Sequence, residues 1–76
     1  MADDDFDTAW IDEFAAGVGV DALDEAQIEA LLSLAGDAAH GSGDRRNAPI
    51  SCFLRGLQLG RAGSEPSAQA IRGAGV

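Results

Sequence analysis

Apolar side chains recur at helical spacing in three segments of the chain, and no segment shows the strict alternation that is typical of a half-buried strand. Within each segment, large apolar residues fall three and four positions apart, so that they share one face of a helix. The members of the three stripes are Trp10, Ile11, Phe14 and Val18; Ile28, Leu31, Leu32, Ala35 and Ala39; and Ile50, Phe53, Leu54 and Leu57. A weaker edge of Ala68, Ile71 and Ala74 follows. The pattern predicts an all-α fold.

Polar residues and glycines mark the predicted ends of the first helix. Asp7 or Thr8 can accept hydrogen bonds from the free backbone N–H groups at its start, and the surrounding acidic run complements the positive end of the helix dipole. Gly17 and Gly19 are expected to end it, because glycine readily adopts the left-handed conformation found after helices.

The second helix is predicted over about residues 25–40. Asp24 and Gln27 stand three positions apart, which is the spacing of a capping box at a helix start. Gly41 is expected to be the left-handed residue at its end, and His40 can interact with the negative end of the dipole.

The third helix is predicted over residues 48–60. Asn47 is a favourable N-cap, and Pro49 lies in the first turn, where a missing N–H group costs nothing. Gly60 or Gly63 is expected to end this helix.

The segment Ser64–Pro66 marks the start of a fourth helix, which Gly73 and Gly75 keep short. Together these elements predict a small three- to four-helix bundle. We expect the three apolar stripes to pack against one another and form a single shallow core, which is all that a chain of this size can build.

Charge divides the chain into two unlike halves. The chain has 76 residues with 13 acidic and 5 basic side chains, and its net charge is -8. Residues 1–37 hold no base, whereas residues 38–76 hold all five Arg against only two acids. The halves can attract each other on folding, or the Arg-rich half can face an anion or an acidic partner. The negative net charge argues against nonspecific binding to nucleic acid or to an anionic membrane.

A single domain is expected over residues 7–73, between an acidic tail of residues 1–6 and a short tail of residues 74–76. No run approaches the ~20 apolar residues of a membrane span, and the acidic start does not resemble a signal peptide. We therefore expect a cytoplasmic protein.

Residues suited to catalysis are scarce. His40 and Cys52 are the only soft ligands, and they stand on different predicted helices. Cys52 lies beside Phe53 in an apolar stretch, which favours a packing role for its thiol. The neighbouring carboxylates of Asp12 and Glu13 point apart on a helix, so they do not form an acid–base pair. The sequence thus predicts no enzyme, no metal site and no cofactor.

One basic cluster could bind an anion. It consists of His40, Arg45, Arg46, Asn47 and Ser51, around the start of the third helix. Free backbone N–H groups and Arg guanidinium groups suit a phosphate or carboxylate. The alternative interpretation is a solvated loop whose Arg residues offset the acidic half.

Aromatic residues gather near the first helix, where Trp10 and Phe14 share a face and Phe6 precedes them. Core packing is the simpler interpretation for Trp10. If the short fourth helix does not cover this face, Phe6, Trp10 and Phe14 become contacts for a partner protein.

The order of several short motifs resembles a known family. The motifs are Trp10-Ile11-Asp12-Glu13, His40-Gly41, Ala48-Pro49-Ile50-Ser51, Phe53-Leu54-Arg55-Gly56-Leu57 and Arg61-Ala62-Gly63. They resemble a small helical domain of unassigned function from GC-rich bacteria, found alone or fused to the C-terminus of molybdenum cofactor guanylyltransferase. The resemblance implies a role near molybdenum cofactor synthesis or formate dehydrogenase assembly, and it implies no catalytic residue.

These observations lead to the hypothesis of a non-enzymatic, protein-binding accessory module. The resemblance implies that its partner is a molybdenum cofactor synthesis enzyme or a molybdoenzyme subunit, and homo-oligomers are also open. The alternative is an anion- or nucleotide-binding regulatory domain that uses the basic cluster. An acyl carrier is a remote third hypothesis, because Asp21-Ala22-Leu23 has Ala where a carrier needs its serine.

Overall fold

The computed structural model describes residues 7–73, and within that range the chain forms four helices and no strand. Helix α1 spans Ala9–Gly17, α2 spans Glu25–Ser42, α3 spans Asn47–Ala62 and α4 spans Ala68–Arg72. The predicted all-α bundle is confirmed. Both predicted tails, and Phe6 with them, lie outside the described residues. None of the helices described is long and apolar enough to cross a membrane.

Two predicted helix starts are confirmed in atomic detail. The backbone N–H of Ala9 donates to Asp7 Oδ1 at 2.9 Å, which satisfies one free donor at the start of α1. At the start of α2, Gln27 N–H donates to Asp24 Oδ1 and Asp24 N–H donates to Gln27 Oε1, each at 2.8 Å. This reciprocal pair is the predicted capping box.

The end of α2 differs from the prediction. Gly41 lies inside the helix, and Gly43 is the left-handed residue, with a φ of 77°. The helix continues past Gly41 because the Ser42 hydroxyl donates to the Ala38 carbonyl at 2.6 Å and the Gly43 N–H donates to the Ala39 carbonyl at 3.0 Å. Sequence spacing alone could not decide which of the two glycines, only two positions apart, ends the helix.

The start of α3 also differs from the prediction, because Asn47 is the first helical residue and Arg46 occupies the N-cap position without a side-chain cap. Asp44 takes over the capping role. Its side chain accepts a hydrogen bond from the Arg46 N–H at 2.9 Å, and its carbonyl accepts one from the Asn47 N–H at 3.0 Å. The helix ends at Gly63, which was one of the two predicted stops.

Helix α4 begins at Ala68, after the predicted Ser64–Pro66 start, and Ser67 is its N-cap. The Ser67 hydroxyl accepts a hydrogen bond from the Ala70 N–H at 3.1 Å. The Gln27 side-chain amide donates to the Pro66 carbonyl at 2.6 Å and so ties the segment before α4 to the start of α2. As predicted, the helix is short.

Helix α2 is the centre of the bundle, because α3 and α4 both pack against it and α4 also touches α3. Within residues 7–73, the buried apolar residues are Ala15, Ala30 and Ile71, and of these three only Ile71 is large. Within the same range, no residue of α1 comes within 8 Å of another helix, measured between Cα atoms. The core is therefore shallow, and Ala15 is the buried residue that α1 contributes to it.

The expectation that three apolar stripes close on one another is wrong. Ile50, Phe53, Leu54 and Leu57 are all exposed on α3. The half-buried residues of α3 include Ala48, Cys52, Arg55 and Leu59, which follow one another at helical spacing on the other side. Small side chains such as those of Ala48 and Cys52 let two helix backbones approach closely, so α3 can pack on α2 without burying its largest residues.

The other two stripes are corrected in part. On α2, Leu32 is exposed although the rest of its predicted stripe is half-buried. On α1, Trp10, Phe14 and Val18 are exposed, so the expected core packing of Trp10 is also wrong. Large apolar side chains on α1 and on α3 thus remain in contact with solvent.

Candidate functional site

The first candidate surface lies on α1. It consists of Trp10, Phe14 and Val18, and we call it the α1 face. The Trp10 side chain is 69% exposed, and its ring stacks on that of Phe14 with centroids 5.5 Å apart and an interplanar angle of 20°. Stacking holds the two rings as one flat apolar unit, which is a suitable shape for contact with another protein. The sequence predicted Trp10 and Phe14 as partner contacts, and the structure leaves both accessible.

The second surface is the outward stripe of α3. It consists of Ile50, Phe53, Leu54 and Leu57, and we call it the α3 stripe. Phe53 is the most exposed member, at 66%. Four adjoining apolar side chains on one helix form the kind of contiguous patch that marks an interaction site, whereas a single exposed Leu would need no explanation. Sequence reasoning missed this surface because it assigned the same four residues to the core.

The two surfaces have opposite charged surroundings. Asp12 and Glu13 lie on α1 and Asp7 precedes it, and all three are exposed. Helix α3 contains no acidic residue. Exposed Arg45 lies just before its start and exposed Arg61 in its last turn. By helical periodicity, Glu13 borders the α1 face and Arg61 lies in line with the α3 stripe, whereas Asp12 lies on the far side of α1.

The predicted anion site around Arg46 contains an anion from the chain itself. Arg46 Nη2 donates to Asp44 Oδ2 at 2.6 Å, and Arg46 Nε donates to Asp44 Oδ1 at 3.0 Å. The side-chain hydrogen bond from Arg46 lowers the pKa of Asp44 below its ordinary value and keeps the carboxylate charged. Sequence reasoning gave Asp44 no role, although an Asp two positions before an Arg at a helix start can accept hydrogen bonds from both its backbone N–H and its side chain.

The other members of the basic cluster are not drawn together by hydrogen bonds. Within residues 7–73, none of the side-chain hydrogen bonds joins His40, Arg45, Asn47 and Ser51 to one another. His40 and Arg45 are exposed, while Asn47 and Ser51 are half-buried. Anion binding stays a prediction, which GMP or inorganic phosphate tests directly: at millimolar ligand, the amide NMR signals of residues 47–51 move if the site exists.

The Cys52 thiol is placed for packing. Its Sγ lies 3.8 Å from the Leu31 carbonyl oxygen, on the side of α3 that packs against α2. Burial raises the pKa of the thiol above its ordinary value, so the thiolate needed for nucleophilic attack is disfavoured at neutral pH. Among the described residues, no group of three or more His, Cys, Asp and Glu side chains could hold a metal ion.

A shallow groove of about 410 Å³ runs between α2 and α3. Leu34 and Ala38 line it from α2, and Leu54 and Arg55 line it from α3. Arg55 Nη1 donates to Gln58 Oε1 at 2.8 Å, which holds the guanidinium along the surface of α3. Because Leu54 also belongs to the α3 stripe, the groove continues that apolar surface toward α2.

A comparison with known protein families matches residues 3–75 to a domain of unknown function, DUF6457. The match covers nearly the whole chain, and the chain therefore belongs to this family. No curated protein and no solved structure matches it.

Proposed function

We propose that this member of the DUF6457 family is a non-enzymatic accessory module that acts by binding another protein. One observation carries the proposal: the largest apolar side chains of α1 and α3 face solvent, while smaller ones mediate the packing of α3 on α2. Exposed apolar area is costly in water, at roughly 25 cal/mol for each Å² that remains uncovered. A partner that covers the α3 stripe or the α1 face recovers that free energy.

We further propose that the partner belongs to molybdenum cofactor synthesis or to a molybdoenzyme complex. This part of the proposal rests on the family resemblance in the order of the short motifs, from Trp10 to Gly63. The geometry contributes the mode of action, which is docking through apolar surfaces with charged borders.

Site-specific photocrosslinking in the source cell tests the proposal. A photoreactive amino acid replaces Phe53 in one version of the full chain and Leu32 in the other. Leu32 is the matched control, because it is 60% exposed but lies on α2, outside both surfaces. We expect position 53 to capture a defined protein, other than a second copy of this chain, that position 32 does not capture, and mass spectrometry to identify it.

Two results separate the two parts of the proposal. If position 53 captures nothing beyond what position 32 captures, and a photoreactive group at Trp10 also captures nothing, the binding module is refuted. If a defined partner is captured but belongs neither to cofactor synthesis nor to a molybdoenzyme, the molybdenum link is refuted and the binding module stands.

A further inference from the structure

Two complementary surfaces on one chain need covering, and the structure does not bring them together. Glu13 borders the α1 face, and Arg61 lies at one end of the α3 stripe. Within residues 7–73, no Cα atom of α1 lies within 8 Å of a Cα atom of another helix. Each surface is thus available to another molecule, and the chemistry of each matches the other.

Charge selects among the possible pairings of these surfaces. Two α3 stripes placed together would put Arg61 of both chains into one interface, and α3 itself contains no acid to compensate. Two α1 faces placed together would bring Glu13 of one chain near Glu13 of the other, since residues 1–37 contain no base. An α1 face on an α3 stripe instead brings acids to bases around an apolar centre.

Helical periodicity supports the match on α3. Arg61 follows Ile50 by eleven residues, which is close to three helical turns, so both lie on the same side of the helix. The stripe therefore ends on a cation. On α1, Glu13 lies about 60° around the helix from Trp10 and so borders the apolar face, whereas Asp12 lies on the opposite side of the helix.

We propose that the occupant of the α3 stripe in the free protein is the α1 face of a second copy of this chain. The contact is made twice about a twofold axis, so that each chain gives its α1 and receives that of its partner. Taking about 200 Å² for a whole ring, the three aromatic residues of the two surfaces expose roughly 350–400 Å² per chain. The aliphatic members and charged borders bring this toward the roughly 800 Å² per chain of a standard interface.

The proposed dimer rests on the proposed function, because it uses the same two surfaces. The second copy covers these surfaces when no other protein is bound. A partner protein then competes with the second copy. The two claims fail separately, since self-association is measured on the purified chain and partner capture is measured in the cell.

Sedimentation of the purified full chain tests the dimer. We expect the mass to rise from 7.8 kDa toward twice that value with increasing concentration. Trp10 is the only tryptophan and is exposed in the single chain, so its emission shifts to the blue over the same concentration range. Phe53→Ser abolishes both changes, whereas the matched control Leu32→Ser, which is equally solvent-facing, retains them.

Charge reversal tests the pairing itself. One variant carries Glu13→Arg and the other carries Arg61→Glu; both positions are exposed, so the fold tolerates the changes. Each variant alone brings like charges together in both contacts and raises the dissociation constant by about tenfold or more. An equal mixture restores dimerisation, because both contacts of the mixed dimer then pair opposite charges.

Three results would overturn the inference. The first is a single-chain mass up to millimolar concentration. The second is a dimer whose Trp10 emission does not change, which would indicate pairing through α3 alone. The third is a mixture of the two charge variants that associates no better than either variant by itself.

Discussion

Substitutions at two isoleucines, one buried and one exposed, test which apolar residues form the core of the bundle. Ile71, on the short helix α4, is 3% exposed, whereas Ile50, on the α3 stripe, is 55% exposed. The apolar pattern of the sequence suggests the opposite order, because Ile50 belongs to a strong stripe and Ile71 to a weak edge. The same substitution, Ile→Ala, at both positions compares the two sites with identical chemistry.

The expected difference follows from burial. Replacing a buried Ile by Ala costs about 2–5 kcal/mol, and the shallow core here favours the lower end, about 2–3 kcal/mol. At Ile50 less than half of the side chain is buried, so the loss stays below about 1 kcal/mol. Because Ala has a higher helix propensity than Ile, the substitution also restores roughly a few tenths of a kcal/mol of stability at either position. A chain of this length has a free energy of unfolding of roughly 4–11 kcal/mol, so Ile71→Ala removes a large share of it.

Urea unfolding followed by far-UV circular dichroism measures both variants. With a slope of about 1 kcal/mol per M, the midpoint falls by about 2–3 M for Ile71→Ala and by less than about 1 M for Ile50→Ala. The measurement is made at a concentration where the wild type sediments as a single chain, because association would add a cost at Ile50 alone. Equal losses in the two variants would refute the outward orientation of α3.

Three further predictions concern the caps. Gln27→Glu keeps the capping box but removes the amide group that donates to the Pro66 carbonyl. We expect the free energy of unfolding, measured by urea titration, to fall by about 1 kcal/mol. An unchanged free energy of unfolding would contradict a stabilising hydrogen bond between α2 and the segment before α4. Gly41→Ala stabilises the protein by about 0.5–1 kcal/mol, because Gly41 lies in the helix interior, where Ala is the better residue. Gly43→Ala destabilises it by about 1 kcal/mol, because Gly43 has a φ of 77°. Thermal melts in which both variants shift the melting temperature in the same direction would place the end of α2 elsewhere. The Asp44 carboxyl titrates by NMR below its ordinary pKa of 3.8. Arg46→Ala raises that pKa toward 3.8 but leaves it lowered, because the backbone N–H of residue 46 still donates to the carboxylate. Since the pKa is lowered in the folded chain, the stabilising pair is complete above about pH 4 and is lost as the pH falls through the folded pKa.

Local signals predicted the helices well because the forces that start and stop a helix act over a few residues. The pair Asp24 and Gln27 caps α2 as expected, and Gly63 ends α3. Where two residues of the same type compete, as Gly41 and Gly43 do, the outcome depends on a side-chain hydrogen bond of Ser42 that no spacing rule contains.

The inward face of each helix was harder to predict. A stripe such as Ile50 to Leu57 indicates where apolar residues lie, but not what covers them. In α3 the side with Ala48 and Cys52 packs inward, since small residues permit close helix contact. Consequently Trp10 and Phe14 were identified as candidate contacts only as an alternative to core packing, and Phe53 was not identified at all.

The isolation of α1 has a consequence for how this protein melts. A helix of nine residues gains little from its own hydrogen bonds and is marginal in water unless something packs on it. Within residues 7–73, α1 has no Cα atom within 8 Å of another helix and buries Ala15 alone, so its unfolding is only weakly coupled to that of α2, α3 and α4. A molecule that covers Trp10 therefore stabilises the first helix directly.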